Sequence, residues 1–128
     1  MTDDEMRGFA QRFFNAIEAG DIATMESSFT PHAEIWHNTD EVIVTPAQTA
    51  VTLRGMIQRI SNPRYTSRQL HVFAGGFVQQ HVLVGRRSHD DVEVRLPCAI
   101  VCRVPVDRIV RLDEYFDSAH VAEFRKFA

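Results

Sequence analysis

Residues 108–119 read RIVRLDEYFDSA. Val110, Leu112, Glu114 and Phe116 alternate with Ile109, Arg111, Asp113 and Tyr115, and this period of two predicts a β-strand with one face turned inward. Glu114 interrupts the apolar row. A carboxylate on a core-facing row costs free energy unless it is paired, hydrogen-bonded or facing a wet pocket. The strand therefore predicts a cavity where a solid core would otherwise lie.

Working outward, Pro105–Arg108 reads as a short turn that joins this strand to an extended stretch, Asp91–Val104. Before it, Arg64–Ala74 and Phe77–Gly85 flank Gly75-Gly76, a strong hairpin signal. The first half of the chain is helical in pattern. Met6, Phe9, Ala10, Phe13, Phe14 and Ile17 recur at helical spacing over Asp3–Ala19. Gly20 suits a left-handed C-terminal position, and Asp21 can cap a short second helix carrying Ile22, Met25 and Phe29, ended by Pro31. A short strand is predicted at Ala33–Asn38, with Ala33, Ile35 and His37 on one side and Glu34, Trp36 and Asn38 on the other. Thr45-Pro46-Ala47-Gln48 has the form of a capping box with proline at the first helical position. The third helix it opens is predicted to run to about Ile60, to bury Ala50, Leu53, Ile57 and Ile60, and to stop before Asn62-Pro63. Ser118–Phe127 reads as a closing helix that packs Val121 and Phe124.

The resulting class is α+β. Three N-terminal helices cover one concave face of a strongly bent, mixed or antiparallel sheet and leave a pocket between the layers. With 128 residues, of which 45% are hydrophobic and 24% charged, residues 1–128 form one domain with one sizeable core. The net charge of −3 gives no overall basic field, so no nucleic-acid partner is expected. Arginines 54, 59, 64, 68, 86 and 87 read as solvated surface. No signal-type start and no long apolar run is present, which predicts a soluble, cytoplasmic protein without a membrane partner. Cys98 and Cys102, roughly 13 Å apart on a strand at ~3.3 Å per residue, cannot bridge and read as small buried hydrophobes.

Glu18-Ala19-Gly20-Asp21, Phe29-Thr30-Pro31-His32-Ala33-Glu34-Ile35-Trp36-His37 and Asp113-Glu114-Tyr115-Phe116-Asp117 together resemble the nuclear-transport-factor-2-like superfamily, its SnoaL-like branch in particular. The resemblance spans nearly the whole chain in element order. It implies a conical fold that hosts isomerases, dehydratases, polyketide cyclases, epoxide hydrolases and plain binding modules. It also implies three catalytic candidates. His37 falls where ketosteroid isomerase-like members place a cavity carboxylate and epoxide-hydrolase-like members a water-holding asparagine. His81 falls on the strand that carries a catalytic histidine in scytalone-dehydratase-like members. Glu114 falls on the base aspartate of the epoxide hydrolases. Two departures are equally informative. Leu83 stands where the epoxide-hydrolase pattern needs a second aspartate, which disfavours epoxide hydrolysis. Phe13 and Phe14 stand where ketosteroid isomerases offer a tyrosine, which disfavours steroid isomerisation.

The expected activity is cofactor-free acid–base chemistry on a small hydrophobic carbonyl compound: dehydration, isomerisation or aldol-type cyclisation. One histidine, oriented by Glu114, takes a proton while the other gives one. Phe13, Met25, Phe29 and Ile57 are expected to form the apolar ligand surface, with Phe9 and Met56 beside them, and Asn38, Gln79 and Gln80 to orient the ligand. Tyr65, Tyr115 and Trp36 read as packing or subunit-contact groups. Two histidines and a carboxylate also spell a facial metal triad, but no HExxH-type spacing supports one and the resemblance implies a metal-free site. The alternative reading is a non-catalytic domain that binds a small apolar ligand or dimerises. A homodimer through the outer sheet face is expected in either case.

Overall fold

A computed structural model describes residues 1–128. The elements run α1 (Asp3–Ala19), α2 (Ile22–Ser27), β1 (Phe29–His37), β2 (Ile43–Val44), α3 (Pro46–Arg59), β3 (Ile60–Phe73), β4 (Gly76–Arg87), β5 (Val92–Arg103), β6 (Ile109–Phe116) and α4 (Ser118–Arg125). The six strands form one open sheet in the order β2-β1-β6-β5-β4-β3. Every pairing is antiparallel except β1 with β6, which is parallel.

The helices begin and end where their local chemistry dictates. Thr45 accepts from the Gln48 amide at 3.1 Å while the Gln48 side chain accepts from the Thr45 amide at 2.9 Å, so two otherwise orphaned donors are satisfied. Thr2 and Glu5 close the same reciprocal box on α1. Gly20 ends α1 at φ 74°, a backbone region that costs glycine nothing. Asp21 and Asp117 cap α2 and α4.

Three boundaries differ from the sequence reading. Phe29 and Pro31 belong to β1, not to the second helix; the β1–β6 register shifts between Phe29 and Glu34, so proline's missing N–H falls in an irregular stretch and breaks no regular ladder. Asn62-Pro63 likewise lies inside β3, where the register shifts between Ser61 and Arg64 and Asn62 adopts φ 50°. Strand β3 is an edge strand that follows α3 without a loop, and its two bulges bend the sheet. Ile60 is therefore the first residue of β3 rather than the last of α3. The two-residue strand β2 carries too little pattern to be read from sequence.

The main core lies between α1, α2 and the sheet. Phe13 meets Phe14 and Phe29 edge-on, at centroid distances of 5.2 and 5.5 Å, and Phe14 meets Phe77 at 6.0 Å. A second, smaller core of Ile60, Leu83, Val94, Leu96 and Phe124 seats α4 over the far end of the sheet. Arg87, solvated on the sequence reading, is only 3% exposed. Its guanidinium binds Asp90 at 2.7 Å and the Glu123 carboxylate at 3.0 Å, which fastens the β4–β5 turn to α4. No helix is long and apolar enough to cross a membrane.

Candidate functional site

Between the helices and the inner sheet face lies a cavity of about 410 Å³, within the ~300–1,000 Å³ range of small-molecule sites. Its lining is mostly apolar. Phe13, Met25 and Phe29 line it as expected, and Leu83, Leu96 and Ile100 supply the sheet side. The other expected contacts, Met56 apart, do not: Phe9 packs on Phe77 at 6.3 Å in the main core, Gln79 is bonded to His81, and Gln80 is exposed. Ile57 is 36% exposed and lies outside the lining, because the cavity-facing stripe of α3 runs through Thr52, Gly55, Met56 and Arg59. Asn38 is exposed and spent on structure: its Oδ1 accepts from the Phe116 amide at 2.9 Å and its own amide donates to the Glu114 carbonyl at 3.0 Å.

His37 and Glu114 both line the cavity. They are register partners across the parallel β1–β6 pair, and His37 Nε2 lies 3.2 Å from Glu114 Oε1. Burial favours the neutral imidazole, but the hydrogen bond and charge of Glu114, with Asp40 beyond, outweigh it and hold the His37 pKa above its ordinary value. Phe116 stacks against the ring at 5.6 Å and limits its rotation.

His81 faces inward from β4 but does not line the cavity. It is 4% exposed, packed between Tyr65 and Phe14 at centroid distances of 4.4 and 5.6 Å. Both of its nitrogens are occupied, Nδ1 by Gln79 Nε2 at 2.9 Å and Nε2 by Cys98 Sγ at 2.8 Å. With the Gln79 amide so oriented, its N–H donates to Nδ1, and the imidazole proton sits on Nε2, directed at Cys98. Burial depresses the His81 pKa to about 4, so the ring is neutral at pH 7. Cys98 in turn is kept as a thiol by burial and by the charge of Glu114. Gln79, His81 and Cys98 thus form a hydrogen-bonded row that leads toward Glu114, which pairs with His37.

Sequence reasoning misses Cys98 as a site residue, because a lone thiol on a strand carries no spacing signal, and Gln79, expected to orient a ligand, is bonded to His81 instead. Tyr65, a packing group on the sequence reading, lines the cavity, and burial followed by the charge of Glu114 raises its phenol pKa, so it remains a hydrogen-bond donor. No group of three or more His, Cys, Asp or Glu side chains has metal-binding geometry. The facial-triad alternative also needs a free nitrogen on His81, and Gln79 and Cys98 occupy both.

Solved structures share this architecture at low identity. A proposed polyketide cyclase from Xanthomonas campestris superposes with TM-score 0.83 at 15% identity, over 94% of this chain and 96% of its own. A proposed SnoaL-like polyketide cyclase from Shewanella putrefaciens gives 0.79 at 10%, over the full length of both chains. A protein of ketosteroid isomerase-like fold from Catenulispora acidiphila, solved with trimethylamine, gives 0.77 at 13%, over 90% and 89%. Identities this low speak for the fold alone. No curated protein matches the sequence. The family model of the SnoaL-like domain, however, matches residues 10–112, most of the chain and every strand but the end of β6, and the chain belongs to that family.

Proposed function

We propose that the cavity performs metal-free acid–base chemistry on a small, mostly hydrophobic carbonyl compound, with His37 as the base. The carrying observation is the His37–Glu114 pair, at 3.2 Å in a mostly apolar cavity. With its Nε2–H given to Glu114, the neutral imidazole keeps its lone pair on Nδ1. That nitrogen takes a proton from the carbon next to the carbonyl, and Glu114 stabilises the imidazolium that forms. The Tyr65 phenol supplies a donor for the developing enolate oxygen, a role that Phe13 and Phe14 cannot fill. The imidazolium then returns the proton, to carbon in an isomerisation or to a departing hydroxyl in a dehydration; an aldol-type ring closure uses the same enolate.

His81 differs in this scheme from the expectation of a second acid. Neutral, enclosed and bonded at both nitrogens, it orients Cys98 and does not touch substrate.

The test works without an identified substrate. Exchange of α-protons for deuterium in D₂O is followed by NMR across a panel of aryl and alkyl ketones. Catalysed exchange is expected for some members, and His37→Ala is expected to slow it about 10²–10⁴-fold. Exchange in the variant at the wild-type rate removes the assignment, and binding without any exchange favours a non-catalytic ligand carrier.

We further propose that two copies meet through the outer sheet face. Trp36 and Tyr115 pack there at 5.4 Å, and Val78, Val82 and Val101 lie half-buried on the same side. A row of this kind is otherwise costly to leave in water.

A further inference from the structure

Two buried side-chain polar atoms in the protein have no hydrogen-bond partner, Thr49 Oγ1 and Arg59 Nε. Both residues line the cavity, on the first and last turns of α3. Unsatisfied buried polar groups cost roughly 1–3 kcal/mol each, more when charged, and native proteins keep few of them. Arg59 also lacks an ion-pair partner, and so does Arg125, which lines the same cavity from α4. The other arginines near the inner layers are spent: Arg68 on Asn15, Arg87 on Asp90 and Glu123.

The Arg59 side chain lies against its own helix, with Nε buried, rather than splayed into solvent. A Cβ on Gly55 would lie 3.0 Å from Arg59 Nη1, so the side chain folds back over Gly55, itself a cavity-lining position. A glycine in a helix interior costs about 1 kcal/mol relative to alanine, and its φ is not positive. What the missing side chain provides here is room for the guanidinium.

The cavity is consequently polarised. Glu114 sits opposite Ile100 on β5, whereas Ile60, next to Arg59, is opposite Arg87 and through it Val92, at the other end of that strand. The anionic groups Glu114 and Asp40 accompany His37; Arg59 lies away along the sheet, with the Leu83–Leu96 pair between.

We propose that the ligand is an amphipathic anion: an apolar body carrying a carboxylate that Arg59, assisted by Arg125, holds at the α3–α4 end. This rests on the reading of the cavity as the site of His37 chemistry and adds the charged handle that fixes which carbon reaches Nδ1. A guanidinium suits a carboxylate because its planar fork donates two parallel hydrogen bonds.

The experiment titrates 6-phenylhexanoate and 6-phenylhexan-1-ol into the full chain by calorimetry at pH 7.5. The carboxylate is expected to bind at least tenfold more tightly than the alcohol. Arg59→Met, which keeps the apolar stem and removes an unpartnered polar atom, is expected to erase that preference while leaving the alcohol unchanged. Gly55→Ala, a helix-favouring change that crowds the guanidinium, is expected to reduce it; circular dichroism checks both folds. Equal binding of the two probes, binding of neither, or a preference that survives Arg59→Met overturns the proposal. A carboxylate preference that stands while His37→Ala leaves proton exchange untouched keeps the anion subsite and removes only the acid–base reading.

Discussion

His37 and Glu114 are paired in register on two parallel strands, and their side chains meet at 3.2 Å on the cavity side of the sheet. Neighbouring parallel strands present facing residues to the same side, so two groups far apart in sequence become a fixed pair.

That pair predicts a pH response. The His37 pKa is held above the usual value by Glu114 against the effect of burial, so turnover is expected to rise with pH through the raised value as the base loses its proton. Glu114→Gln removes the charge and leaves the burial, which moves the acid limb to lower pH. Because the folded pKa is the higher one, the pair stabilises the fold fully below the unfolded value of ~6.5 and ceases to do so as pH rises through the folded value. An NMR titration of the His37 ring checks this; an identical curve in Glu114→Gln contradicts the coupling.

His81 has the opposite sign. Its folded pKa, about 4, lies below the unfolded value, so between those limits the unfolded chain binds the extra proton. Its contribution to stability is present above pH ~6.5 and lost as pH falls toward 4, about 3 kcal/mol over the window. Urea unfolding at pH 7.0, 5.5 and 4.5 measures it. His81→Gln is expected to flatten that dependence, and an equally steep one in the variant means that other groups cause it.

Cys98 and Cys102 are both held as thiols by burial, reinforced by the charge of Glu114. Neither is expected to react with a disulfide reagent at pH 8 in the native protein, and both should react in urea. Cys98→Ala takes away the acceptor of the His81 Nε2–H and is expected to cost about 1–3 kcal/mol. Cys102 is buried and Cys98 half-buried, so rapid labelling of the folded protein contradicts thiols held protonated.

On the outer face, Val101 on β5 lies between Val78 of β4 and Asp113 of β6, near the middle of the sheet. Light scattering is expected to give about twice the 14.6 kDa chain mass, and Val101→Glu to give the single-chain mass with an unchanged circular dichroism spectrum. A wild-type protein that is monomeric at micromolar concentration ends the dimer proposal.

Much of this is legible in local pattern. The alternation around Glu114 places it on the inner face, the Thr45–Gln48 box starts α3, the Gly75-Gly76 signal marks the hairpin, whose turn falls one residue earlier at Ala74-Gly75, and Gly20 ends α1, all within a few residues of their cause. Pro31 and Pro63 mislead for one reason. Proline signals a break in a ladder, and sequence does not say whether the chain responds by ending an element or by bulging within one.

The site divides along the same line. Residue type and period place His37, His81 and Glu114 on inner faces, because a strand's alternation is fixed by its own backbone. Which inward groups touch depends on strand order, register and the helices above. The parallel β1–β6 register brings His37 to Glu114, whereas the Tyr65 and Phe14 rings enclose His81 and leave Cys98 between it and Glu114. Arg59 and Arg87, alike in sequence, are separated by packing into an unpaired cavity cation and a buried clamp. Those outcomes follow from non-local contacts, whose energies depend on partners that local pattern does not name.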